Sequence, residues 1–103
     1  MTKTIENFLR YVKIDTQSSE ESTTTPSTMK QHDLAGLLVS ELAIMGAEEI
    51  TYDKEHCYVY ATVPASAGCE NAPVLGFIAH MDTSPAVTDT NVKPRIIEHY
   101  DGK

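Results

Sequence analysis

The sequence lacks any run of apolar residues near the roughly 20 that a membrane-spanning helix needs, and its N-terminus has no apolar signal region. We therefore expect a cytoplasmic protein with no membrane partner. Basic residues are also few, since 8 Lys and Arg stand against 15 Asp and Glu, for a formal net charge of −7. Nucleic acid is not the expected partner, because binding phosphates requires clustered Lys and Arg.

Cysteine is scarce as well. Cys57 and Cys69 are the two cysteines, and they lack the C-x-x-C spacing of a metal or redox pair. We expect both to be small, reduced residues rather than a disulfide or a nucleophile. With 103 residues, the chain is long enough for one small domain.

Two amphipathic helices are predicted in the first half of the chain. An apolar stripe at i, i+3, i+4 and i+7 predicts the first, over residues 4 to about 14. After a polar loop, Thr28 and Gln31 have the spacing of a capping box and predict the start of the second helix, which Gly46 is placed to end. The apolar side of this second helix carries Leu34, Leu37, Leu38, Leu42 and Met45.

Strands are predicted in the second half. Ile50 and Tyr52 alternate with polar residues, the letters DKEH can turn, and CYVYATV is rich in strand formers, so a hairpin is predicted. Residues 74–79 are apolar at nearly every position and predict a third strand covered on both faces. The order of elements predicts an α/β fold, layered helix–sheet–helix. A buried strand needs neighbours on both edges, which this chain hardly supplies, so we expect residues 1–103 to be part of a longer protein.

A possible site follows this third strand. Side chains at i and i+2 of a strand point the same way, so His80 and Asp82 are expected to project together from its carboxyl end. Ligands of open α/β sheets bind outside the carboxyl ends of strands. This placement indicates a functional site.

The His-x-Asp pattern by itself allows several chemistries. His80 can be a metal ligand, with Asp82 either binding the metal or holding the other ring nitrogen. A nucleophilic Ser84 is excluded on geometry, because it lies too near His80 in sequence to reach the ring. An aspartic-protease pair built on Asp82 requires a second such turn, which the chain lacks. A plain ion pair that caps the strand end stays open beside the metal site.

The remaining histidines and two aspartates are expected to have no such role. His32 falls in the first turns of the second helix, His56 in the hairpin turn and His99 in the polar tail. We expect all three to be solvated surface residues. Asp89 and Asp101 are most simply loop residues.

Longer stretches carry a family resemblance. The strings FIAHMDTSP, NVKP and YDG, preceded by FLRYVKIDTQS, TTPST and LAGLLVSELAIMGAEEI, cover essentially the whole chain. In this order they resemble the N-terminal segment of tripeptide aminopeptidases from the di-zinc aminopeptidase and carboxypeptidase superfamily. The resemblance implies a catalytic domain with a central mixed sheet flanked by helices. It also implies a smaller inserted lid or dimerisation domain that is absent here.

The same resemblance implies the chemistry. His80 is expected to bind one of two zinc ions, and Asp82 to be the catalytic carboxylate that hydrogen-bonds His80 and raises its basicity. The zinc pair would activate a bridging water to release the N-terminal residue of a tripeptide. Small peptides are then the expected partners, and a homodimer is expected through the absent domain.

The chain departs from the family in its length, since members are roughly four times as long, beyond the usual size of one domain. The bridging Asp, the general-base Glu, the other carboxylate ligands and the last His ligand are expected beyond Lys103. A catalytic zinc site wants about three protein ligands, so this stretch alone is expected to be inactive and to hold at most one partial site. The alternative is a truncated, non-catalytic α/β module that acts in binding or interaction.

Overall fold

The computed structural model describes residues 1–103, which form two helices and one antiparallel strand pair. Helix α1 spans Lys3–Tyr11, helix α2 Gln31–Ile44, strand β1 Glu48–Asp53 and strand β2 Tyr58–Thr62. The predicted α/β class is therefore confirmed in its coarse form. Neither helix has the length and apolar character needed to cross a membrane.

Helix α1 lies slightly earlier in the sequence than expected. The Thr2 hydroxyl caps it by accepting from the Ile5 N–H at 3.4 Å. After Tyr11 the backbone bonds shorten to an i to i+3 spacing, as between the Ile14 N–H and the Tyr11 carbonyl, and the helix ends there. No residue of α1 is buried, so the apolar stripe predicted for this helix remains largely uncovered.

Helix α2 begins at Gln31 without a side-chain cap, so the predicted capping box is wrong. The Thr28 hydroxyl instead donates to the Gln17 carbonyl at 2.8 Å and accepts from the Gln31 amide at 3.1 Å. Gly46, with φ of 83°, follows the helix end as predicted, because glycine adopts this left-handed conformation without strain. Leu34 and Ala35 are the buried apolar residues of α2.

A buried carboxylate joins the two helices. Glu41 of α2 accepts from the Arg10 guanidinium and from the Tyr11 hydroxyl of α1. Burial of the phenol, helped by the hydrogen bond and the charge of Glu41, raises the pKa of Tyr11 to about 12. These two bonds are the side-chain hydrogen bonds between α1 and α2.

The hairpin is confirmed in place. Strand β1 pairs with β2 from Glu48 opposite Thr62 to Asp53 opposite Tyr58. In the turn, the Asp53 carboxylate accepts from the Glu55 and His56 backbone N–H groups at 3.0 and 3.1 Å. Both cysteines are free, as predicted. The hairpin packs against α2.

The third predicted strand is not part of a sheet. Residues 74–79 have no strand partner, and their side chains are open to solvent, with Val74 97% and Phe77 92% exposed. A strand exists only with a hydrogen-bonded neighbour, and no other segment of residues 1–103 pairs with this one. The sheet therefore has two strands, and the expectation of a strand buried on both faces is wrong for these residues.

Candidate functional site

The His80 ring lies directly against Asp82. Its Nδ1 is 2.8 Å from the backbone carbonyl oxygen of Asp82 and 3.1 Å from the carboxylate oxygen Oδ1 of the same residue. Both of these oxygens accept, so in the neutral ring the hydrogen is assigned to Nδ1. The lone pair then belongs to Nε2.

Nothing in the fold covers this imidazole. The His80 side chain is 84% exposed, and its hydrogen bonds all run through Nδ1 to Asp82. A neutral imidazole with Nδ1–H held by an acceptor offers Nε2 to an electrophile, which is the usual arrangement of a histidine metal ligand. The geometry is also that of the simple ion pair considered from the sequence, if the ring is protonated.

The residue after Asp82 is anchored to the loop that follows α1. The Thr83 N–H donates to the Thr16 carbonyl at 3.2 Å, and the Thr83 carbonyl accepts from the Ser18 N–H at 3.0 Å. The Ser18 hydroxyl donates to the same carbonyl at 2.9 Å. These bonds surround a single parallel bridge between Gln17 and Thr83. The His80–Asp82 pair therefore stands at the end of a segment tied to a distant part of the chain.

Asp89 is the residue that sequence reasoning missed. It lies in a loop, as predicted, but it is buried at 9% exposure and not a solvated loop residue. Its Oδ2 accepts from the Thr16 N–H at 2.7 Å and from the Thr83 hydroxyl at 2.9 Å. No local pattern could have identified it, because the first contact joins residues 73 positions apart.

A cleft opens beside the candidate pair. It has a volume of about 750 Å³ and runs between α2, the hairpin and residues 77–82. Its walls are more apolar than polar, with Leu38 and Leu42 from α2, Val59 from β2 and Phe77 from the exposed segment. His80 and Asp82 line it as well. The pair thus has space beside it for a small ligand.

The nucleophile chemistry excluded from the sequence finds no support in the fold. The Ser84 hydroxyl accepts from the Ala86 N–H at 3.2 Å and makes no hydrogen bond with His80. No group of three or more His, Cys, Asp or Glu side chains is placed to hold a metal ion. His80 is suited by its tautomer and exposure to serve as one ligand, while the residues around it do not complete a site.

One of the other histidines departs from expectation. His32 is half-buried, its Nδ1 hydrogen-bonds the Tyr52 hydroxyl, and its Nε2 is a buried atom without a partner. The prediction that His32 is a solvated surface residue is wrong. His56 lies in the hairpin turn as expected, 2.9 Å from the Asp53 carboxylate, and His99 is exposed.

Sequence comparison shows what the chain resembles. It is 58% identical over 98 residues, 95% of its length, to a protein named Peptidase T from Geobacillus thermodenitrificans. Proteins of the same name from Alkaliphilus oremlandii and Desulfitobacterium hafniense are 49% and 53% identical over the whole chain. The chain spans 23% to 25% of the length of these relatives. No protein-family model matches it.

Proposed function

Because the chain is similar over its whole length to part of proteins named Peptidase T, we propose that it is one part of a peptidase of that kind. The finer proposal is a metal-dependent aminopeptidase that removes the N-terminal residue from tripeptides. Within it, the chain supplies the N-terminal portion of a layered di-zinc catalytic domain. A homodimer through a separate domain belongs to the same proposal.

The structural observation that supports the metal-dependent part of this proposal is the contact between the His80 ring and Asp82. Nδ1–H is held by the Asp82 carbonyl at 2.8 Å and the Asp82 carboxylate at 3.1 Å, which leaves the exposed Nε2 as the ligand atom. Asp82 thereby orients the ring and makes Nε2 more basic. The fit to zinc is that of one ligand and its supporting carboxylate.

When bound, a zinc pair would lower the pKa of a shared water and polarise the scissile carbonyl. The part that residues of this chain play is more limited. His80 would hold one of the ions through Nε2, and Asp82 would keep the ring from turning. The open cleft beside them, about 750 Å³ in volume, would give a short peptide room to approach. Further ligands and the general base would come from other parts of the longer protein.

The test compares two histidine variants in two settings. In the 103-residue chain, Zn²⁺ alone should bind weakly and perturb the ring-nitrogen signals of His80. His80→Ala should abolish this change, and His99→Ala should preserve it. In a protein of the relatives' length that carries this segment, His80→Ala should remove zinc and tripeptide hydrolysis while circular dichroism stays unchanged. Tight, stoichiometric zinc binding by the short chain, or full activity of the His80 variant, would contradict the proposal.

The second candidate is a non-catalytic module that binds a partner. The observation in its favour is the apolar cleft between α2, the hairpin and residues 77–82. Reading the encoding frame past Lys103 separates the two candidates. Downstream carboxylate and histidine ligands support the peptidase, and a stop codon supports the binding module.

A further inference from the structure

We propose that Asp89 is a positioning residue for His80. Its buried carboxylate holds Thr83 in the one orientation that aims the Asp82 carbonyl at the Nδ1–H of the ring. The catalytic meaning of this inference rests on the proposed function, whereas the structural relation between Asp89 and His80 does not.

First, the Asp89 carboxylate is buried and accepts hydrogen bonds from two segments of the chain. Asp89 is 9% exposed, and its Oδ2 accepts from the Thr16 N–H at 2.7 Å and the Thr83 hydroxyl at 2.9 Å. Removing a charge from water is costly unless hydrogen bonds replace the lost hydration, and bonds to a charged acceptor are the stronger kind. Asp89 therefore joins the loop after α1 to Thr83, because one of its carboxylate oxygens accepts a hydrogen bond from each.

The second step is the restraint on Thr83. Its N–H donates to the Thr16 carbonyl at 3.2 Å, and its carbonyl accepts from the Ser18 N–H at 3.0 Å. The backbone of Thr83 is thus bonded on both sides to the same loop. The bond from the Thr83 hydroxyl to Asp89 adds a restraint on the side chain of Thr83. We expect that without that contact the two backbone bonds, together with the bond from the Ser18 hydroxyl to the Thr83 carbonyl, hold the Thr83 peptide plane less firmly.

The third step joins Thr83 to the ring. The peptide group between Asp82 and Thr83 is trans and planar, so its N–H and its C=O point in opposite directions. The N–H is held by Thr16, and the C=O accepts from the His80 Nδ1 at 2.8 Å. Rotation of this one peptide plane breaks both bonds together. Asp89 thereby stabilises the tautomer that leaves the lone pair on Nε2.

The experiment observes that tautomer. Uniformly ¹⁵N-labelled chain is studied by long-range ¹H–¹⁵N correlation at mildly alkaline pH, where the two neutral tautomers of a histidine ring give distinct patterns. We expect the parent His80 to show the Nδ1–H pattern. Asp89→Ala should lose it in favour of averaged ring shifts, and the Thr16 amide should exchange on the order of tenfold faster.

Two variants distinguish positioning from general structural support. Asp89→Asn should restore the Nδ1–H pattern, because the amide oxygen can accept the same two bonds. Asp101→Ala, which alters an exposed loop aspartate, should leave His80 unchanged. An Asp89→Ala chain that keeps the parent His80 pattern while the Thr16 amide becomes exposed would overturn the proposal, since Asp89 would then support the loop alone.

Two threonine substitutions test the positioning role if the Asp89→Ala chain does not fold. Thr83→Val removes the hydroxyl donor at similar shape, and it should change the His80 pattern as Asp89→Ala does. Thr90→Val is the exposed control and should not. An unchanged His80 pattern in Thr83→Val would refute the positioning role.

A titration with Zn²⁺ alone keeps the two proposals separable. Loss of the Asp89 carboxylate should weaken zinc binding at His80 severalfold, less than the roughly 10–100-fold lost when a direct partner of a metal ligand is altered. If zinc does not bind while the His80 tautomer still depends on Asp89, the proposed function fails and the positioning role stands. If zinc binds at His80 and the tautomer does not depend on Asp89, the proposed function stands and the positioning role fails.

Discussion

Two regions of this molecule are held together in different ways. Residues 31–62, which we call the helix–hairpin unit, consist of α2 packed on β1 and β2, and they contain the buried apolar residues Leu34, Ala35 and Cys57. Residues 79–90, which we call the motif segment, contain no helix or strand of a sheet. They are held by hydrogen bonds from the loop after α1, chiefly through Thr16 and Thr83.

The difference separates what stabilises a fold from what places a site. Apolar burial is non-directional, so it stabilises the helix–hairpin unit without fixing the position of any single atom. Hydrogen bonds are directional, and those of the motif segment fix the peptide plane that faces His80. Substitutions in the two regions should therefore have different signatures, global stability in one and local geometry in the other.

The largest effect is expected from a buried apolar residue of α2, the helix of the helix–hairpin unit. Leu34 is 7% exposed, so Leu34→Ala should lower the free energy of unfolding by about 2–5 kcal/mol, through lost burial and the cavity left behind. Leu75→Ala makes the same change at 77% exposure and should stay within about 0.5 kcal/mol. Urea denaturation followed by circular dichroism measures both. Equal effects would show that burial of Leu34 does not stabilise the helix–hairpin unit.

A smaller effect is expected where α1 joins the unit through polar groups. Glu41→Gln should lower the free energy of unfolding by about 1–3 kcal/mol, because it removes the charge that holds Arg10 and Tyr11. The raised pKa of Tyr11 gives a second readout. Its stabilising contribution is complete below the unfolded-state value of 10.0 and is lost as the pH rises towards about 12.

Alkaline unfolding tests that pKa directly. The parent chain should lose stability between about pH 10 and pH 12, and Tyr11→Phe should lose less over the same interval. Part of the loss should remain, because burial also raises the pKa of Tyr52. Tyr58→Phe alters an exposed tyrosine and should behave like the parent. An identical alkaline profile for Tyr11→Phe would contradict the assignment.

A local effect is expected in the motif segment. The Gln17 amide donates to the Pro85 and Val87 carbonyls at 3.3 and 2.7 Å, so Gln17→Ala should cost about 1 kcal/mol locally. Hydrogen exchange should quicken by roughly fivefold at the Thr83 amide and stay constant in α2. Asn71→Ala is the exposed control. Faster exchange throughout α2 would mean that the two regions unfold as one.

The smallest effect concerns the hairpin turn. The hydrogen bond and charge of Asp53 raise the pKa of His56, and the bond from His56 lowers the pKa of Asp53. The pair stabilises the turn above the unfolded Asp value of 3.8 and below the unfolded His value of 6.5, and its contribution fades outside that window. Both side chains are substantially exposed, so the change is small. An NMR titration should find the pKa of His56 lower in Asp53→Ala and unchanged in Asp101→Ala.

These regions also differ in how far the sequence predicts them. The hairpin and α2 follow from patterns within short windows, and both were found near the expected residues. The capping box failed because Thr28 bonds Gln17, a partner 11 positions away. The hydrogen bond from the Thr16 N–H to Asp89 joins residues 73 positions apart, and a short sequence window carries no signal for such a contact.

The third predicted strand and the candidate site show the same limit of local sequence patterns. The apolar pattern of residues 74–79 was identified correctly, but pattern alone does not supply the neighbouring strand that burial requires. The proximity of His80 and Asp82 was predictable, because they are two residues apart. Which ring nitrogen carries the hydrogen was not, since its assignment depends on where the Asp82 backbone carbonyl and carboxylate lie.

The open stretch at residues 74–79 also determines how this chain behaves in bulk solution. Its backbone donors and acceptors have no sheet neighbour, and its side chains are apolar and uncharged, so any extended peptide can add to it, another copy included. We expect mutual repulsion from the net charge of −7 at pH 7 to oppose such pairing between copies. Acid, which neutralises carboxylates, and concentrated salt, which screens them, both remove that repulsion. We therefore expect this chain to resist precipitation best in dilute neutral buffers of low ionic strength.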